Sequence, residues 1–313
     1  EYKMITSYKE WKQYLGAFAS LYKLCFHQPM DIVEVKWRYF QNPQKDVVAC
    51  FAFDQGKLVA NYSVSPVSLY YRGKVIKAAQ SLNTMTHPDY MGKGLFVALA
   101  TEVYLFLKQK GYELVWGFPN YISNRTFLKR LDWKDVFVVP TMEISLEKLK
   151  NHTFGVNIVG DDKLQLDYTS CLSNHDVIQV NKSNEYLYWR YVMHPHIEYK
   201  VFAYSIDGVN ATSRIICKEY KDILNIVDYS VRDNNELGEL LSSVIAYANS
   251  LDKNKITIWA KLGDFMHLEL EAYGAKNTLP ITYFGVCLFR EGMEDIYMSG
   301  QNWMIHMSDD NVY

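Results

Sequence analysis

Neither sign of charge dominates this 313-residue chain: 33 lysines and arginines stand against 35 aspartates and glutamates, a formal net charge of -2. A long nucleic-acid backbone needs a basic stripe, and these interspersed charges supply none, although small anionic ligands remain open. Cysteine is scarce as well. The five (Cys25, Cys50, Cys171, Cys217, Cys287) are scattered and mostly set in apolar strand-like runs. They read as buried free thiols of a reducing compartment, with no disulfide frame and no metal site. Long apolar runs are also missing. The best candidate, Gly94 to Leu107, is interrupted by Glu102 and falls short of the roughly 20 apolar residues a membrane span needs. No secretory signal is visible at the start, so a cytoplasmic location is expected.

What the chain has is apolar bulk: 49% of residues are hydrophobic, and there are 25 Tyr, 15 Phe and 7 Trp. That suffices for a core in each of about two domains. Tyrosine and tryptophan add hydrogen-bonding edges suited to flat polar ligands.

The most informative stretch runs from Thr86 to Phe96, through Pro88, Met91, Gly92, Lys93, Gly94 and Leu95. Upstream, Gln80 to Thr86 alternates apolar and polar residues as a strand would. Downstream, Leu95, Ala98, Leu99, Val103, Phe106 and Leu107 recur at helical spacing. Strand, glycine loop and helix therefore follow in order. Glycines one residue apart let backbone N–H groups turn toward one anion, and the positive end of the following helix adds to the attraction. A tight turn with no ligand fits the same residues, so the loop alone does not decide between the two.

A second signal is a repeat. Trp37-Arg38-Tyr39 with Pro43 and the turn glycine Gly56 returns as Trp189-Arg190-Tyr191 with Pro195 and Gly208, each pair offset by the same spacing. Two copies of one structural unit follow, with a boundary near 145–165 and domains assigned to residues 1–150 and 151–313. The second copy has no glycine pair. Its strand Ile223 to Ser230 leads through Arg232-Asp233-Asn234-Asn235-Glu236 into a helix, and an acidic helix start repels a phosphate. Only the first copy is expected to hold an anion. Arg38 and Arg190 are expected to bond across a helix–strand junction in each unit.

The loop resembles motif A of the GNAT superfamily of N-acyltransferases, whose strand, glycine loop and helix bind the pyrophosphate of coenzyme A. Pro88, Gly92 and Gly94 match. Met91 stands where the family has Arg or Gln, and Phe96 where it has a small residue. At the expected distance, Asn120, Ser123, Lys129 and Trp133 fit the family's second motif, with Asp132, able to take the left-handed conformation, near the usual glycine.

The resemblance implies an α/β (α+β) fold of two tandem GNAT-like domains, each a mixed, mostly antiparallel twisted sheet flanked by helices. It implies acyl-CoA bound by Met85, Thr86, Met91, Gly92, Lys93, Gly94, Leu95, Phe96, Asn120, Ser123 and Phe127, the last packing on the pantetheine arm, with no metal. It assigns carbonyl polarisation to backbone N–H groups at Met85 and Thr86, with Asn83 orienting the amine or a water. The family's usual tyrosine donor to the thiolate is Phe127 in this chain. His87, His194 and His196 read as structural or surface residues. Asp309 is a candidate proton acceptor on an ordered tail. Asp228, Tyr229, Trp303, His306 and Asp310 are candidates for acceptor binding.

The layout is similar to bacterial sugar N-acyltransferases that modify a nucleotide-linked (dTDP-type) amino sugar for lipopolysaccharide O-antigen. The implied function is acyl transfer from acyl-CoA to a primary amine in a ternary complex. Two alternatives are a tRNA-dependent aminoacyl transferase of tandem GNAT fold and a catalytically silent acyl-CoA-binding protein. The first wants a basic groove and no pyrophosphate loop, and the sequence offers the reverse.

Overall fold

The computed structural model describes residues 1–45, 47–148, 176–205 and 211–310. Cys171, the turn at Asp207 and Gly208, and most of the expected boundary region lie outside the described residues.

In chain order the first copy comprises β1 (Tyr2–Ile5), α1 (Tyr8–Lys12), α2 (Leu15–Phe26), α3 (Ile32–Phe40), β2 (Val48–Asp54), β3 (Lys57–Pro66), β4 (Leu69–Tyr71), β5 (Lys74–Ile76), β6 (Ala78–Ser81), β7 (Met85–Thr86), α4 (Leu95–Gln109), β8 (Leu114–Gly117), α5 (Tyr121–Arg130) and β9 (Lys134–Ser145). The second comprises β10 (Gln179–Val180), α6 (Asn184–Leu187) running into a π-helix (Tyr188–Val192), β11 (Tyr199–Ser205), β12 (Ala211–Tyr220), β13 (Ile223–Ser230), α7 (Asn234–Ser250), β14 (Lys255–Trp259), α8 (Phe265–Ala272), β15 (Lys276–Leu288) and α9 (Glu294–Tyr297). From α3 and α6 onward, and leaving aside the short strands β4, β5 and β7 of the first copy, the two lists share one order: helix, hairpin, strand, long helix, strand, short helix, long strand.

The chain divides into two compact units that are not contiguous halves. One holds residues 1–137, 193–196 and 283–302, and the other holds 138–192, 197–282 and the segment from 303. The first unit's sheet runs β1-β2-β3-β6-β8 and closes on the end of β15, where Gly285 to Leu288 pair antiparallel with β8. The second unit's sheet runs β11-β12-β13-β14 and closes on the end of β9, where Thr141 to Ser145 pair antiparallel with β14. Each unit therefore takes its last strand from the other copy, so the changeover falls at Phe137 and Val138 instead of residue 150. Among the described residues of each, one parallel pair (β6–β8, β13–β14) interrupts the antiparallel pairing.

Local chemistry explains the elements. Gln55 and Gly56 both take positive φ, the two-residue turn whose twist matches the flanking strands β2 and β3. Asp31 caps α3, Asn120 caps α5 and Asp233 caps α7, each side chain accepting two backbone N–H groups. Strand β2 is buried on both faces. Ala49 and Phe51 meet Trp11, Phe18 and Leu21 of the early helices, while Cys50 and Ala52 meet Leu99, Val103 and Leu107 of α4. Burying each large side chain is worth about 1.5–3 kcal/mol.

Helix α4 is the segment that most resembled a membrane span. It is amphipathic, with Leu99, Val103 and Leu107 packed on the sheet and Leu105 exposed. Among the described residues no helix is long and apolar enough to cross a membrane. Cys25, Cys50, Cys217 and Cys287 are free thiols.

The repeated arginines do different work. Arg190 is buried, with Nε donating to Ser308 O at 3.1 Å and Nη1 to Tyr199 Oη of β11 at 2.7 Å, the expected helix–strand bond. Arg38 pairs with Glu34 one turn back at 2.6 Å, within its own helix.

Candidate active site

The site in the first unit begins where β6 stops. Parallel pairing of β6 with β8 ends at Gln80–Trp116, and the chain resumes strand geometry only at β7. Against β3 the register changes by one residue between Val64–Ser81 and Asn61–Met85, so residues 82–84 form a bulge. Two buried side chains of β3 hold it. Asn61 Nδ2 donates to Asn83 O at 2.9 Å and Ser63 Oγ to the same oxygen at 3.2 Å. Beyond the bulge, His87 N donates to Val59 O at 2.8 Å. Ladder alternation then turns the Thr86 N–H away from β3, toward the side on which β8 has diverged. A backbone donor on that side is what polarisation of a carbonyl requires.

The loop follows directly. Pro88–Tyr90 form a single 3-10 turn. Tyr90 Oη donates to Asp54 Oδ2 at 2.5 Å, and the Lys93 ammonium lies 4.3 Å from the Tyr90 ring centre. His87 is tied down, with Nδ1 accepting from Asp89 N at 3.2 Å and Nε2 lying 2.8 Å from Lys57 Nζ, as a structural histidine would be. Gly92 and Gly94 have φ of 75° and 77°, and a Cβ added at either would meet nothing within 4 Å. Both positions take the left-handed conformation that glycine adopts most readily, and the space above them is open.

Gly94 is the N-cap of α4 with no side-chain cap and no acidic residue in the first turn. The first N–H groups of that helix, at Leu95 to Val97, thus keep their donor capacity for a ligand. The residues present fit a diphosphate. In the second unit the corresponding helix start is closed by chemistry, because Asp233 Oδ1 accepts from Asn235 N and Glu236 N, each at 3.0 Å.

Helix α5 covers the loop's far side. Asn120 and Ser123, read as cofactor contacts, are engaged in the cap: Asn120 Oδ1 accepts from Ile122 N and Ser123 N, and Ser123 Oγ donates to Asn120 O. Phe127 is buried between Phe96 at 5.0 Å and Trp133 at 4.4 Å. Asp132 has φ of 56°, the left-handed conformation expected there. Met85 is likewise buried, its side chain among the early helices, so only its backbone can face a substrate. Met91 is 63% exposed. The Asn83 side chain is half-buried beside the bulge.

The remaining site candidates come together in the second unit, but closed. Asp228, at a bulge of β13, accepts from Lys182 Nζ at 2.6 Å, from Ser308 Oγ at 3.3 Å and from Tyr191 Oη. His306 lies edge-on to Tyr229 at 4.6 Å, and Asp309 Oδ2 accepts from His306 N at 2.7 Å. Trp303 pairs with Ile178 and is buried. Burial alone would raise the Asp228 pKa, but the charges of Lys182 and His306 and the bonds from Lys182 and Tyr191 outweigh it and hold the group well below the usual carboxylate range.

Asp309 is only 3% exposed. This carboxylate, like Asp228, Trp303 and His306, makes its contacts inside the second unit, while Tyr229 is half-buried beside them. Asp310 is half-buried, its N–H donating to Met307 O at 3.0 Å. Among the described residues no three His, Cys, Asp or Glu side chains group as a metal site. His194 packs on Trp37, and His196 Nε2 lies 2.7 Å from Asp31 Oδ2.

Sequence reading missed Asn61 and Ser63. They are polar residues in an otherwise apolar strand, and that was the available signal.

Residues 8–136 match the family model described as an acetyltransferase (GNAT) domain. No curated protein sequence matches the chain. A solved GCN5-related N-acetyltransferase from Anabaena variabilis superposes with a TM-score of 0.71 at 13% identity, covering 93% of this chain and 73% of that one. A tandem GNAT protein from the clavulanic acid biosynthesis pathway gives 0.64 at 10% identity, covering 93% and 100%. The N-myristoyltransferase of Saccharomyces cerevisiae, solved with bound myristoyl-CoA, gives 0.61 at 11% identity, covering 91% and 78%. The fold is thus a mixed α/β GNAT fold.

Proposed function

We infer, from a first unit that carries a GNAT acetyltransferase domain, that this protein is an acyl-CoA-dependent N-acyltransferase moving an acyl group onto a primary amine. One observation carries the reading: an open two-glycine loop at an uncapped, acid-free helix start stands directly after a strand bulge from which the neighbouring strand has diverged.

The loop amides and Lys93 hold the cofactor's pyrophosphate, and the diverged strand leaves room for its pantetheine arm. The Thr86 N–H faces the carbonyl oxygen, which gains negative charge as the amine adds. The amine must attack in its neutral form, and we assign to Asn83, half-buried beside the bulge, the role of orienting it or a water that takes its proton. Collapse of the tetrahedral adduct expels the thiolate. Coenzyme A supplies the activated thioester; the chain supplies position and donors.

The acceptor we propose is a nucleotide-linked amino sugar. The support is the tandem layout and the abundance of tyrosine and tryptophan, whose faces stack on bases and sugars. A cytoplasmic setting goes with both substrates. The test measures thiol release from acetyl-CoA with a panel of amino-sugar nucleotides beside simple amines. Turnover with the sugar nucleotides supports the full reading. Turnover with other amines alone refutes the sugar, and CoA binding with no turnover on any amine refutes catalysis.

A further inference from the structure

A buried file of polar groups runs through the first unit and ends at the site. Trp133 Nε1 donates to Tyr104 Oη at 2.7 Å, Tyr104 Oη lies 2.9 Å from Tyr62 Oη, and Tyr62 Oη lies 3.1 Å from Ser81 Oγ. The first three side chains are buried, and Ser81 is half-buried at the point where β6 and β8 part.

The file has a direction. An indole N–H can only donate, so Tyr104 accepts from Trp133. The hydroxyl hydrogen of Tyr104 is then given to Tyr62, because a hydroxyl left unbonded in the core is unfavourable. Tyr62, having accepted from Tyr104, donates onward to Ser81. The hydroxyl hydrogen of Ser81 is then left over for an acceptor outside the file. Burial holds both tyrosines well above their ordinary pKa, so each keeps its proton.

Gly117, the next residue of β8 after the ones paired with β6, lies close beside Ser81: a Cβ there would sit 3.3 Å from Ser81 Cβ and 3.6 Å from the Trp133 ring, so any larger residue would crowd the end of the file. Phe127, on the helix above, carries no hydroxyl and is enclosed by Phe96 and Trp133.

We propose that Ser81 donates a hydrogen bond to the thioester sulfur as it departs, and that Tyr62, Tyr104 and Trp133 are positioning residues that fix the direction of that bond. The proposal rests on the acyl-CoA reading above. In the step, the amine nitrogen forms its bond to the carbonyl carbon, the C–S electron pair passes to sulfur, and the amine's surplus proton leaves to water. Ser81 keeps its proton, because a serine hydroxyl is a far weaker acid than the thiol, whose pKa is about 8.5. The products are the amide, the hydrogen-bonded thiolate and one proton.

The experiment titrates the thiol of bound coenzyme A by the ultraviolet absorbance of its thiolate, with wild type, Ser81→Ala, Ser81→Thr and Tyr104→Phe, and measures CoA affinity of each by calorimetry. Ser81→Ala is expected to keep CoA affinity within about twofold while its thiolate fraction at a given pH falls about tenfold, one pKa unit. Ser81→Thr should restore the wild-type titration, and Tyr104→Phe should move it in the Ala direction. With acyl-CoA and an amine, Ser81→Ala should lower kcat and leave KM for acyl-CoA unchanged. Equal thiolate titration in wild type and Ser81→Ala, both binding CoA, overturns the assignment of Ser81 and leaves the acyl-CoA reading standing. A wild type that binds no CoA overturns that reading and, with it, this one.

Discussion

The side-chain amide of Asn61 donates to the Asn83 carbonyl oxygen at 2.9 Å, and the bulge that opens the first unit's sheet is built on that bond. Without it and the Ser63 bond, nothing in the sequence of residues 82–84 compels the extra residue. Asn61→Ala with Ser63→Ala should therefore let the strand slip toward regular pairing. A stability loss of about 1–3 kcal/mol in denaturant unfolding, with a larger fractional loss of kcat than of CoA affinity, is the expected pattern. Unchanged kcat would show that the bulge does not depend on these two side chains.

In the second unit the ion pair of Lys182 and Asp228 is buried and bonded on both sides. Removing one partner strands the other charge, so Lys182→Met should cost about 3–5 kcal/mol in equilibrium unfolding. A double replacement by apolar residues of similar size should recover much of that loss. Equal destabilisation by the single and double variants would contradict the pairing.

The same group sets a dependence on pH. The Asp228 carboxyl is held below its unfolded value of about 3.9. Its contribution is complete above that value and is lost as pH falls toward the lower folded pKa. The stability gap between wild type and Asp228→Asn, followed by thermal unfolding, should be constant from pH 7 to about 5 and shrink below about 4. A gap that grows on acidification would reverse the assignment.

Residues 303–310 run through this packed centre: Met304 N donates to Ile178 O at 2.9 Å, Ser308 Oγ bonds Asp228, and Lys261 Nζ donates to Trp303 O at 3.0 Å. A chain ending at residue 302 should lose stability by more than about 3 kcal/mol, read as a large fall in Tm. A truncated protein of wild-type Tm with impaired acceptor use would return the tail to the acceptor-facing role.

Much of this was legible in the sequence, and the reasons differ by residue. The glycine loop, α4 and the left-handed turn at Asp132 were readable because backbone angle and helical period are local. Offset recurrence of Trp-Arg-Tyr marked the repeated order of elements. The exchange of β9 and β15 was invisible, because a strand's alternation is the same whichever sheet takes it. Asp309 and His306 stood on a tail read as ordered, yet nothing local marks Lys182, more than a hundred positions away, as their neighbour. Arg38 and Arg190 shared a motif, but the sequence did not mark that Arg190 would bond Tyr199 of a strand and Arg38 would pair with Glu34 of its own helix.

The central claim is that the first unit's glycine loop holds the pyrophosphate of acyl-CoA. Gly94→Asp puts a carboxylate at the open start of α4 in a left-handed conformation aspartate tolerates. Calorimetry of acetyl-CoA binding to wild type and Gly94→Asp, with Tm measured for both, tests the claim most directly. The prediction is measurable binding to wild type, weakened more than about tenfold by the carboxylate with the fold retained. Equal affinity in the two proteins, or none in the wild type, would contradict it.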